Sequence, residues 1–91
     1  MQPLKERLKE ILLRDQLIAP EVIAAVPVDV CRKYCLMPID KIGRSLTVAM
    51  ANPLNNQAIE DVERLTSCAV QVFVSTTMDI KNSIKRYYES A

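Results

Sequence analysis

A single glycine, Gly43, serves a chain of 91 residues. Glycine enters left-handed backbone without steric cost, so loops needing several such positions cannot be assembled here. A phosphate-cradling P-loop takes two glycines plus Lys-Ser/Thr, and a dinucleotide-binding turn takes three, because backbone amides must close on the phosphates. Neither fits this chain. The same residue, in Lys41-Ile42-Gly43-Arg44, marks the natural turn between two strands.

The chain length suits one domain, 1–91, with a modest core. Only 4% of residues are aromatic, so Leu, Ile, Val, Ala and Met must fill the interior. Twelve basic and 11 acidic side chains nearly cancel, which removes the electrostatic drive for nucleic-acid binding. The clusters Lys5–Arg7–Lys9 and Lys81–Lys85–Arg86 are mixed with or followed by acids and read as solvated helix faces. No apolar run approaches the ~20 residues of a membrane span, and no signal-peptide core is present, so a cytoplasmic protein is expected.

Catalytic chemistry is thinly provided. The absence of histidine takes away the commonest general base. Glu60, Asp61 and Glu63 fall on the polar side of a predicted helix, where nothing raises a carboxyl pKa. Cys31 and Cys35 lie four apart in a helical stretch, on one face. With three cysteines in all, a tetrahedral zinc site would need a carboxylate or a second chain. The cysteines therefore read as small hydrophobes, and neither enzyme activity, metal nor cofactor is expected.

Periodicity sets the order of elements. Leu4, Leu8, Ile11 and Leu12 form one apolar stripe of an amphipathic helix over 4–14. Pro20 opens a short helix to Ala25, and Pro27 ends it and opens another through Val30, Cys31, Tyr34 and Cys35. Leu36–Ile42 reads as a strand that Pro38 makes an edge or irregular one, and Ser45–Ala51 as its hairpin partner. A helix over 56–65 with Ile59, Val62 and Leu65 inward follows Asn caps, then a buried-looking strand Ala69–Val74. Thr76 caps a closing helix over 77–88 that buries Ile80, Ile84 and one of Tyr87 and Tyr88. The expected fold is α/β (α+β): a small mixed three-stranded sheet with packed helices, in the order α-α-α-β-β-α-β-α. Residues 1–26 form an N-terminal helical part and 27–91 the α/β core, with strand two parallel to strand three and the sheet order open.

The run Pro27-Val28-Asp29-Val30-Cys31-Arg32-Lys33-Tyr34, then Leu36-Met37-Pro38-Ile39, the turn glycine, Leu46-Thr47-Val48-Ala49-Met50-Ala51-Asn52-Pro53-Leu54-Asn55, and Ile80 to Tyr87-Tyr88 carry a resemblance. Over roughly 70 residues the chain resembles the N-terminal domain of type II secretion and type IV pilus assembly ATPases. That resemblance implies a non-catalytic docking and regulatory module. It would contact a cytoplasmic part of an inner-membrane platform protein, peripheral to the membrane, with the motor elsewhere. One branch of the family binds cyclic di-GMP through two copies of an Arg-Leu-Gly…Gly-Leu-Ile motif. Here Arg7-Leu8-Lys9 and Gln16-Leu17-Ile18 form one faint copy with both glycines replaced, so cyclic di-GMP is not expected. Leu4, Leu8, Ile11 and Leu12 are the candidate partner-binding residues, although the same stripe also suits the domain's own core. A same-fold adaptor in a signalling protein is the alternative function.

Overall fold

The computed structural model describes residues 17–89. The predicted helix over 4–14, with Leu4, Arg7, Leu8, Ile11 and Leu12, lies outside the described residues. Helix α1 (Pro20–Ala25) begins on proline, whose fixed φ suits a first turn, and sends Val22 into the core. Val26 is extended, as the residue before a proline prefers, and Pro27 is the N-cap of α2 (Val28–Tyr34).

Helix α2 stops one residue short of the expected span. Cys35 is not helical; it takes the left-handed conformation (φ 51) and its N–H donates to the Cys31 carbonyl. The expected four-residue helical spacing of the two thiols is therefore broken. Among the described residues no cluster of His, Cys, Asp or Glu is assembled that could hold a metal.

Strand β1 (Leu36–Ile42) pairs antiparallel with β2 (Ser45–Met50), and the register shifts between Pro38 and Asp40. Proline has no N–H for the ladder, and β1 is accordingly an edge strand with an irregularity beside Pro38. Gly43, at φ +57, turns the chain between Ile42 and Ser45. Strand β3 (Ala69–Val74) lies parallel to β2 on its other side, giving the order β1-β2-β3. Helix α3 (Asn56–Thr66) makes the crossover, its start fixed by Asn55, whose side chain accepts from the Ala58 N–H at 3.2 Å.

The central strand is covered on both faces. Leu46, Val48 and Met50 are buried on one side, and Ala49 is fully buried on the other, where its small side chain permits close packing. Leu36, Met37, Val26, Cys31, Ala58, Val62 and Ile80 are also fully buried, as is Pro38.

Two burial expectations change. Ala58, Ile59 and Val62 form the inward face of α3, whereas Leu65 is 54% exposed. Helix α3 runs back along the sheet from the end of β2 to the start of β3, so its last turn, with Leu65, lies at the end where Ser45 and Ala69 start their strands. Strand β3 is half-exposed rather than buried, because it is the other edge of the sheet.

Helix α4 (Thr77–Ile84) is capped by Thr76, whose hydroxyl accepts from the Asp79 N–H at 3.1 Å. It continues into a π-helical turn, Lys85–Glu89, in place of the uniform α-helix expected over 77–88. No helix of the described residues is long and apolar enough to cross a membrane.

Candidate interaction site

The π-helical turn brings Tyr87 and Tyr88 back to the start of the described chain. The Tyr88 hydroxyl lies 3.0 Å from the Ile23 carbonyl and 2.9 Å from the Val26 carbonyl, and accepts from the Cys31 thiol at 3.4 Å. A helix end leaves its last carbonyls without partners; here a side chain more than 60 residues away supplies one. The Tyr87 hydroxyl accepts from the Ile18 N–H at 3.4 Å. A cleft of about 560 Å³ opens between these tyrosines and α1, lined by Ile18, Pro20, Ile23 and Val28 among others.

Burial governs the titration of this cluster. It pushes the Cys31 thiol up to about 11, against a partial offset from the Tyr88 hydrogen bond, and it raises the Tyr88 phenol too. A thiol held protonated at neutral pH is a packing group and not a nucleophile.

A second cleft, about 610 Å³, runs between α2 and α4. Met78 and half-exposed Cys35 supply its apolar surface over buried Cys31 and Ile84, and Arg32, Lys81, Lys85 and Glu89 its charge. Arg32 and Glu89 pair at 2.7 Å and tie α2 to the π-helical turn. Lys81 and Lys85, read from the sequence as a solvated face, thus border a cleft. Arg86 sits 5.3 Å from the Tyr87 ring centre, in cation–π range.

The predicted acidic face is also more engaged than its sequence implied. Asp61 accepts from the Tyr34 hydroxyl, from Gln57 at 2.9 Å and from Arg64 at 2.7 Å. The Tyr34 hydrogen bond, with Gln57 and Arg64 beside it, holds the Asp61 carboxyl below the usual range, the opposite of a general acid. Glu63 accepts from the Val70 N–H at 3.2 Å on the open edge of β3. Both carboxylates therefore join elements together.

Residues 6–91 match the profile of the MshEN domain. This chain belongs to the MshEN domain family. It is 36% identical over 76 residues to the type IV pilus assembly ATPase PilB of Myxococcus xanthus (strain DK1622), a match covering 84% of the chain and 13% of PilB. The chain thus spans a small part of that relative. Among solved structures, MshE with cdg superposes with a TM-score of 0.84 at 19% identity, over 93% of this chain and 62% of that one. The N-terminal domain of XpsE superposes at 0.79 and 20% identity, over 91% and 59%. At those identities the likeness shows the fold.

The resemblance to N-terminal domains of secretion and pilus ATPases therefore holds, and the MshEN match reaches further toward the N-terminus than the motifs that suggested it, taking in Arg7, Leu8, Ile11 and Leu12. Sequence reasoning expected Tyr87 or Tyr88 to pack inward, as both do in part, but within the described residues it missed the Tyr88 hydroxyl contacts, Tyr34–Asp61 and Arg32–Glu89. Their signal was present only as adjacent tyrosines near the chain's end and as the basic-basic-Tyr close of α2.

Proposed function

We propose that this chain is a non-catalytic docking and regulatory module of a type II secretion or type IV pilus assembly ATPase, binding a cytoplasmic portion of the inner-membrane platform. The observation that carries this reading is the MshEN match over residues 6–91. The identity with PilB supports the pilus setting. The protonated Cys31 and the ionised, hydrogen-bonded Asp61 agree with it, since neither is tuned for chemistry. On this reading the domain works in the cytoplasm and reaches the inner membrane through its partner. The stripe Leu4, Leu8, Ile11 and Leu12 is the proposed partner-binding face, with Asp15 to Ala19 as a short hinge.

The test is a pull-down from bacterial lysate using wild type and Leu8→Asp as baits, with circular dichroism on both. Wild type should recover an inner-membrane platform protein, and Leu8→Asp should lose it while keeping its spectrum. Collapse of the variant's spectrum would assign the stripe to the core. Recovery of signalling proteins without any platform component would favour the adaptor alternative.

A second reading is motivated by the likeness to MshE, solved with cdg. Cyclic di-GMP would then engage the segment from Arg7 to Ile18, despite Lys9 and Gln16 standing where the motif has glycine. Isothermal titration decides it: saturable heat lost in Arg7→Ala supports a nucleotide sensor, and its absence in wild type removes that reading.

A further inference from the structure

We propose that the cleft between α2 and α4 receives an acidic amphipathic helix of a partner protein. The inference rests on the docking reading above in taking the occupant to be a protein.

The shape argues for a helix. Thr77 and Met78, Lys81 and Asn82, then Ile84 and Lys85 recur at helical spacing along one wall, and Glu89 continues it. The wall spans about three helical turns, or roughly 18 Å. The opposite wall is the C-terminal end of α2, with Cys31 and Arg32, and its cap Cys35. The long wall sets the direction of the cleft and the single turn of α2 closes one side of it, a shape that fits the side chains of one helical face.

The chemistry argues for an apolar stripe flanked by acids. Met78 is 71% exposed at the cleft, an unbranched thioether that adapts to varied apolar side chains. Arg32 and Glu89 hold each other at the cleft, so Lys81 sets the charge that an occupant meets. Lys81 makes no ion pair among the described residues. The excess of positive charge therefore selects acidic flanks on the occupant and repels basic ones.

The probe is a synthetic helical peptide of about four turns, with Leu at i, i+4 and i+7 and Glu on both flanks, followed by fluorescence anisotropy. Lys81→Glu should weaken binding roughly tenfold, and Met78→Asp by a similar factor. Lys33→Glu makes the same charge change on α2 outside the cleft and should stay within about twofold of wild type. Affinity should fall as salt rises, and a peptide with Lys flanks should not bind. Equal binding of either peptide, or of the Glu peptide to Lys81→Glu, overturns the proposal. So does self-association of wild type that Met78→Asp abolishes, which would seat a second copy there. The cytoplasmic portion of a pilus platform protein, assayed in parallel, separates the two readings. Platform binding retained in full by Lys81→Glu overturns the cleft assignment and leaves docking standing. Absent platform binding, with peptide affinity that Lys81→Glu removes, supports the cleft and overturns the platform as partner.

Discussion

The Tyr88 hydroxyl shares its one proton between two carbonyls and accepts from one thiol in a half-buried setting, so its removal leaves a carbonyl and a thiol short of a partner. Tyr88→Phe should therefore cost about 1–3 kcal/mol in urea unfolding, with the slope of the transition unchanged. Cys31 adds a pH dependence whose sign is fixed by its burial. In the unfolded chain the thiol titrates near the ordinary value of about 9, and in the folded domain near 11. The native state thus holds the proton longer, and its contribution is complete below about pH 9 and lost as pH rises toward 11. The buried Tyr88 phenol acts in the same direction. Urea midpoints should fall steadily over that alkaline window, and in Cys31→Ala the fall should shrink. Alkylation followed by mass spectrometry should label half-exposed Cys35 before buried Cys31 and Cys68.

Among the described residues, two left-handed positions are held by residues other than glycine, Cys35 at φ 51 and Ser67 at φ 54. Both end helices, where glycine is the usual choice, and a Cβ there costs about 1 kcal/mol. Ser67 is exposed, so Ser67→Gly should raise stability by roughly 0.5–1 kcal/mol, measured by urea denaturation. Gly43 is the converse case. A Cβ added there would meet nothing within 4 Å, so Gly43→Ala should cost about 1–2 kcal/mol through backbone strain alone. Elements with strong local signals were legible: Pro20, Pro27 and Asn55 set helix starts, Pro38 gave the irregular edge, and Gly43 gave the hairpin. Leu65 and β3 misled because burial depends on what lies opposite, which periodicity along one segment does not carry. The end of α2 was missed because Cys35 carries no C-cap signal. The site's tyrosine contacts were illegible for a related reason, since residues about 60 positions apart have no local pattern.

The whole domain is built around β2, whose side chains are buried on both faces. Leu46 is fully buried, and Leu46→Ala should cost 2–5 kcal/mol, on the order of a third to a half of what a small domain holds in total. Thermal melts should show that variant largely unfolded at or near physiological temperature. The two clefts lie on either side of the Tyr88 turn, so a ligand in one shares its wall elements with the other: Cys31 and Arg32 reach the α2–α4 cleft, while Tyr87 and Tyr88 line the α1 cleft.

The tyrosine latch on α1 also sets an order of events during synthesis. Ile23, Val26 and Cys31 leave the ribosome nearly 60 residues or more before Tyr88 does. Until then the carbonyls at the end of α1 face water, and β2 waits for β3 as well. The nascent domain can form its hairpin early, but it closes only after residues 85–89 have emerged, so a pause in translation before that point would hold the first helices open to chaperones.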